Sequence, residues 1–290
     1  MDKYQLQQLS PRVHWLPPNE DTDRPILGII SGKNGSLVIE GGNSIAHAQL
    51  LLDQIGHLSP VRYLCLTHWH WDHVFGATAF NVPTFAHTET KRVAAQMAAL
   101  DWRDAALDQR VADGLEIEFC RDMVKRELPD RTDLVIRPPD IAFDTQVDID
   151  LGDVTCQLIH VGGDHASDSS IVYVPEEKVV FLSDCLYPAI YAEPRYYSTK
   201  INDLYDRILR LDAIHYLWGH SSDIMTRQEM ELEAEQAAVI SALVQETDEP
   251  PQVLYTRLQQ THPHFTFDEY TLELIAAFQN GLKAKHAVDE

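Results

Sequence analysis

The chain has 290 residues, 44% of them hydrophobic, and a formal net charge of −22. That length and apolar content suit one large domain, or a core domain with an added cap, and exclude global disorder. So acidic a chain repels nucleic-acid backbones and anionic membrane faces, so small-molecule chemistry is the better expectation.

Residues 1–10 are polar and lack the charged-then-apolar layout of a secretory leader. No apolar run approaches the roughly 20 residues that span a bilayer. Cys65, Cys120, Cys156 and Cys185 are scattered, with no CxxC pair, as expected of reduced thiols. The expectation is a soluble cytoplasmic protein.

Along the chain, residues 13–16, 26–30 and 36–40 read as strands around the turn Lys33-Asn34-Gly35. Residues 44–55 carry Ile45, Ala48, Leu51, Leu52 and Ile55 at helical spacing, with Ser44 placed as N-cap. Residues 62–67 form a short buried-type strand that runs into a histidine cluster. From 88 to about 126, alanine, leucine and charged residues predict two or more helices, followed by an extended linker over 131–139. Strand character returns at 146–151, 154–160, 170–174 and 179–182, the last two joined by a turn at 175–178. A helix follows at 202–211 and a strand at 214–218. Helices then fill 228–245, 251–260 and 267–283, separated at Pro250-Pro251 and His262-Pro263. The expected organisation is a mixed α/β domain over 1–225 with a helical insert at about 88–140, then a C-terminal helical extension over 226–290.

Thr67-His68-Trp69-His70-Trp71-Asp72-His73 packs three histidines and an aspartate into six positions. Imidazole nitrogen and carboxylate oxygen bind zinc at roughly 2.0–2.2 Å. His68 and His70, two apart, point the same way if the chain is extended there. Asp72 and His73 follow after a turn and face a second site. Any one of these residues alone would read as solvated or as a satisfied core residue. Four together, beside Trp69, Trp71 and Phe75, read as a metal site.

The pattern His68-x-His70-x-Asp72-His73 resembles the signature of the metallo-β-lactamase superfamily. Three later segments resemble its further motifs in the right order, so the resemblance covers about residues 12–222. In Gly163-Asp164-His165-Ala166-Ser167-Asp168 the match is His165, favoured over His160 because Asp168 falls at the expected offset. Asp164 departs from the glycine more usual before that histidine. Asp184 ends the strand-like 180–183, and His220 follows Gly219. At the N-terminal turn, Glu40-Gly41-Gly42 carries glutamate where the family commonly has aspartate.

The resemblance implies an αββα sandwich of two mixed β-sheets flanked by helices. It also implies two metal ions, zinc with iron or manganese as alternatives. His68, His70 and His165 would hold one, Asp72, His73 and His220 the other, and Asp184 would bridge them with a water or hydroxide. Two dications about 3.5–4 Å apart drop the pKa of a shared water and polarise the substrate oxygen. Asp72 would also orient the nucleophile. Tyr187, three residues after Asp184, resembles a phenol that assists the leaving oxygen in some lactonases of the superfamily; core packing near Pro188 is the plainer role. Cys185 offers an alternative thiolate ligand. The stretch 186–188 lacks the lysine with which lactam cleavers tend to hold a carboxylate.

The leading expectation is therefore a dinuclear zinc hydrolase acting on a small ester, lactone or thioester. Competing readings are a mononuclear iron dioxygenase of sulfur substrates, a phosphodiesterase or nuclease of the superfamily, and a non-catalytic metal-binding protein. The insert is expected to roof the cleft, with Trp102, Phe119 and Met123 lining it or packing on the core. Substrate preference is expected there and along 187–197. The apolar stripe Phe267, Tyr270, Leu274, Phe278 and Leu282 docks either on the core or on a second subunit. His262 and His264 read as solvated loop residues.

Overall fold

The computed structural model describes residues 4–191 and 193–289. Among the described residues, thirteen strands form two sheets. The first holds β1 (Gln7–Gln8), β2 (Val13–Leu16), β3 (Leu27–Gly32), β4 (Gly35–Ile39), β5 (Val61–Cys65), β6 (Thr84–His87) and β7 (Ile141–Phe143), paired in chain order. It is antiparallel through β4 and parallel from β4 to β7. The second runs β13 (Ile224–Thr226), β12 (His215–Trp218), β11 (Val179–Ser183), β10 (Ser170–Val174), β9 (Thr155–His160), β8 (Gln146–Asp150). Its β11–β12 pair alone is parallel.

Hydrophobic patterning explains the layering. β3, β4, β10 and β11 are near-continuous apolar runs, because both of their faces are covered. One buried cluster fills the space between the sheets, with Ile30, Leu37 and Ile39 meeting Leu158, Val172 and Phe181. Contact is close: a Cβ at Gly28 would lie 2.6 Å from the Phe181 ring, so only glycine fits there. A second cluster packs the outer face of the first sheet against α1 (Ile45–Leu52), α2 (Trp71–Val74), α3 (Thr88–Met97), α4 (Asp104–Ala112) and α5 (Glu118–Glu127). A third packs the second sheet against α6 (Ser198–Leu209), α7 (Arg227–Glu246), α8 (Pro251–Thr261) and α9 (Glu269–Asp289). The result is the αββα sandwich expected from the sequence.

Ser44 caps α1 through the His47 amide, and Thr226 and Glu229 close a capping box on α7. The α9 stripe docks on the core: Leu274 and Phe278 are buried, and Phe278 packs against Tyr196. The short strands β1, β6, β7 and β13 are absent from the sequence reading. The strand expected over 62–67 stops at Cys65, and His70 leads into α2.

Candidate metal centre

Four segments meet at one edge of the sandwich, each following a strand. The segment after β5 carries His68 and His70 in its loop and Asp72 and His73 on the short helix α2, and the loop after β9 carries His165. Asp184 follows β11 and His220 follows β12. Nitrogen and oxygen atoms of His68, His70 and His165 lie within 4.8 Å of one another, as do those of Asp72, His73, Asp184 and His220. All seven residues expected from the sequence therefore converge. Asp184 is central: its Oδ2 lies 3.2 Å from His73 Nε2, 3.4 Å from His165 Nε2 and His220 Nε2, and 3.9 Å from His68 Nε2.

Within the cluster His220 Nε2 hydrogen-bonds Asp72 Oδ2 and His68 Nε2 hydrogen-bonds His70 Nδ1, each at 3.1 Å, but other close atoms are not so paired. His73 Nε2 is 2.8 Å from Asp72 Oδ2, yet it makes no hydrogen bond of acceptable geometry. His70 Nε2, His165 Nε2 and Asp184 Oδ1 are also buried without a partner. Such groups are costly in a protein interior. Their convergence on common points is the arrangement that suits a divalent cation, and the donor set of imidazole and carboxylate fits one.

Residues 28–265 match the family described as the metallo-beta-lactamase superfamily. The chain belongs to that superfamily. Its fold is similar to a metallo-beta-lactamase from Pontibacter korlensis, at 19% identity and TM-score 0.58 over 80% of this chain and 97% of that one. It is also similar to the metallo-beta-lactamase family protein TTHA1429 from Thermus thermophilus, at 19% identity and TM-score 0.59 over 97% and 96%. A double mutant of the sec-alkyl sulfatase PisA1 matches at 15% identity and TM-score 0.66, over 96% of this chain and 50% of that one. No curated protein matches the chain. At these identities the structural likeness speaks for the fold alone.

In this superfamily member, outer partners set the imidazoles. His165 Nδ1 lies 3.1 Å from the Pro188 carbonyl and His68 Nδ1 3.0 Å from Thr67 Oγ1. His73 Nδ1 faces Glu40 Oε1 at 3.2 Å as an ion pair without hydrogen-bond geometry, and His220 Nδ1 is 3.5 Å from Asp23 Oδ1. Partners of this kind fix which nitrogen faces a metal. Burial, with neighbouring imidazoles, holds His68 and His70 well below the usual histidine pKa, so they are neutral with free lone pairs. Burial also opposes charge on His73 and His220, but Asp72 and Asp184 outweigh it and raise both. Those carboxylates are in turn held low by the two histidines, against their own burial.

A cavity of about 230 Å³ opens over the cluster, walled by Trp71, Ile117, Phe119, Cys120, Tyr187 and Ile190 among others. Phe119 of α5 lines it, one of the two roles the sequence left open. Trp102 does not: it packs on Phe75 at 4.8 Å and donates to the Met97 carbonyl, while Met123 packs on the same core cluster. Cys185 is buried in the outer cluster and is no member of the ligand groups, so the thiolate alternative falls. His160 stacks on His87 at 3.9 Å, away from the site. Asp164 accepts from the Tyr197 amide. His264 is exposed beside Glu235.

Proposed function

We propose that the chain is a hydrolase that holds two divalent ions, zinc with iron or manganese as alternatives, and cleaves a small ester, lactone or thioester. His68, His70 and His165 would hold one ion, Asp72, His73 and His220 the other, with Asp184 shared. The observation that carries this reading is the convergence of seven buried or half-buried imidazoles and carboxylates in two groups, with His70 Nε2, His73 Nε2, His165 Nε2 and Asp184 Oδ1 left without hydrogen-bond partners. Ions bound there would supply water acidic enough to react at neutral pH and polarisation of the substrate oxygen.

The chain's own groups do the rest. Asp72 lines the cavity and would orient the attacking water through its carboxylate. Tyr187 lines the cavity too, its ring centroid 6.0 Å from that of His165. Burial, and then Asp184, keeps its phenol protonated. It would donate a hydrogen bond to the leaving oxygen. The apolar side chains of α5 and Ile190 border the cavity and would limit the water around a bound substrate.

We assign the catalytic domain to 1–225, with its insert at 88–140, and a helical extension to 226–290. The four cysteines are buried and unpaired, which supports the expectation of a reducing, cytoplasmic setting. No helix among the described residues is long and apolar enough to cross a membrane. The test is metal analysis of the purified protein, followed by turnover of a panel of lactones, thioesters, esters, phosphodiesters and lactams. Zinc near two per chain with ester-class turnover is expected. A single iron with oxygen uptake on a sulfur substrate would replace this reading.

A further inference from the structure

The cavity over the cluster can hold the ester group of a substrate but not a drug-sized molecule as a whole. Its 230 Å³ falls below the roughly 300 Å³ at which pockets begin to enclose drug-sized ligands. A second cavity, of about 510 Å³, lies between the segment after β11 and helix α9. Tyr187 and Pro188 line both cavities. We propose that this second cavity binds an uncharged apolar tail of the substrate, an acyl or alkyl chain whose reacting ester group sits over the metal cluster. The inference rests on the hydrolase reading and adds to it the substrate class: long-chain rather than small polar esters.

The lining carries the argument. Tyr270, Leu274 and Ala277 stand at i, i+4 and i+7, on one face of α9. Pro188, Pro194 and Tyr196 form the facing wall. The prolines contribute no N–H, and the Tyr196 hydroxyl is already committed to the Leu186 carbonyl at 2.8 Å. The lining offers a polar occupant few groups to replace its water, chiefly Tyr270, Glu273 and Asn280, whereas each buried methylene improves binding about three- to fourfold. Among the described lining residues, Glu273 is the one charged group, and it disfavours a tail ending in carboxylate.

The wall is also preformed. Tyr196 donates its amide to the Ala277 carbonyl at 3.0 Å, and the Asn280 side chain donates to the Pro194 carbonyl at 3.0 Å. Pinning the strap to α9 in this way reduces the ordering cost of binding. Ala276 and Ala277 keep the space open because nothing larger stands there.

The experiment compares wild type with Ala276→Trp, a half-buried position outside the metal cluster. Turnover is measured on p-nitrophenyl esters of two- to twelve-carbon acids. Binding of N-alkylacetamides of matching length, which resist hydrolysis, is measured by calorimetry. In wild type, kcat/KM and amide affinity should both climb about three- to fourfold per methylene over the lengths that enter the second cavity. Ala276→Trp should flatten both climbs while leaving the acetate ester within twofold. Glu273→Lys, at an exposed position, should favour carboxyl-ended tails several-fold and leave methyl-ended tails unchanged.

A flat length dependence in wild type, or an unaltered climb in Ala276→Trp, overturns the proposal. So does a change in oligomeric mass in Ala276→Trp without alkyl binding in wild type, which would give the cavity to a second copy of the chain. If amides bind with the expected climb but no ester is cleaved, the hydrolase reading fails and the apolar site stands.

Discussion

Asp184→Asn keeps the shape of the residue at the centre of the cluster and removes its charge. One of its two oxygens becomes an amide nitrogen, which carries no lone pair for a metal. In wild type, Asp184 Oδ2 reaches four imidazoles, so both ligand groups feel the change. At free zinc 1,000 times the dissociation constant, each bound ion stabilises the folded chain by about 4.1 kcal/mol. A 290-residue chain unfolds with an entropy of about 0.6 kcal/mol/K, so each ion raises Tm by about 7 °C. Losing an outer partner of a ligand already costs 10- to 100-fold in affinity, and Asp184 itself should cost about 100-fold or more. That removes about 2.7 kcal/mol per ion, or about 4 °C of the rise, at the same zinc concentration. Scanning calorimetry with zinc and with a chelator reads this directly. Equal zinc-induced shifts in wild type and Asp184→Asn would refute the convergence argument, as would a wild type insensitive to zinc.

Three further outcomes follow from the same geometry. Asp23→Asn leaves His220 Nδ1 without its carboxylate and should weaken metal binding about 10- to 100-fold by chelator competition, with the fold unchanged by circular dichroism. Gly219→Ala should damage the centre through sterics alone, because the new Cβ collides with Asp184 Oδ1; metal stoichiometry should fall although no ligand is changed. Burial, and then Asp268, raises the Glu233 carboxyl to about 7, above its ordinary 4.5, so the folded state holds this proton more tightly than the unfolded one. The sign follows: this residue favours folding most below about pH 4.5, and that advantage is lost as pH rises to about 7, by at most roughly 3 kcal/mol. Urea unfolding of Glu233→Gln from pH 5 to 8 should lose that part of the slope and show a gain over wild type at pH 8.

Much of this was legible in the sequence because the relevant signals are local. The apolar runs of β3, β10 and β11 announce strands buried on both faces. Residues 67–73 concentrate in one short stretch the residue types that a core excludes. His165 could be chosen over His160 only through the resemblance; both are histidines near a strand end, and four loop residues, 161–164, lie between them. What stayed hidden depends on distant segments. β6 and β7 exist because Phe85, Ala86 and His87 find Ile141, Ala142 and Phe143 across the helical insert. A three-residue strand has no periodicity of its own to read. Trp102 was open to two readings because a helix pattern gives the apolar face without giving what covers it.

The centre's outer partners were the least legible, and backbone conformation explains why. Five non-glycine residues among those described have positive φ, and Asp23, Glu40 and Ser183 belong to the site. Such conformations cost of order 1–3 kcal/mol each and persist only where the surroundings over-determine them. Here they are over-determined. Glu40 accepts from the hydroxyls of Thr67 and Ser183 and faces His73, so the turns ending β4 and β11 brace each other across the sandwich. The Asn43 side chain donates to the carbonyls of Thr22 and Asp23. Arg24 next to it pairs with Glu127 at 2.8 Å, the last residue of α5. The helix whose other end roofs the cavity thus also ties down the loop that carries Asp23 to His220. A rigid site therefore requires the insert to be docked, and loosening the Arg24–Glu127 pair should weaken metal binding without touching a ligand.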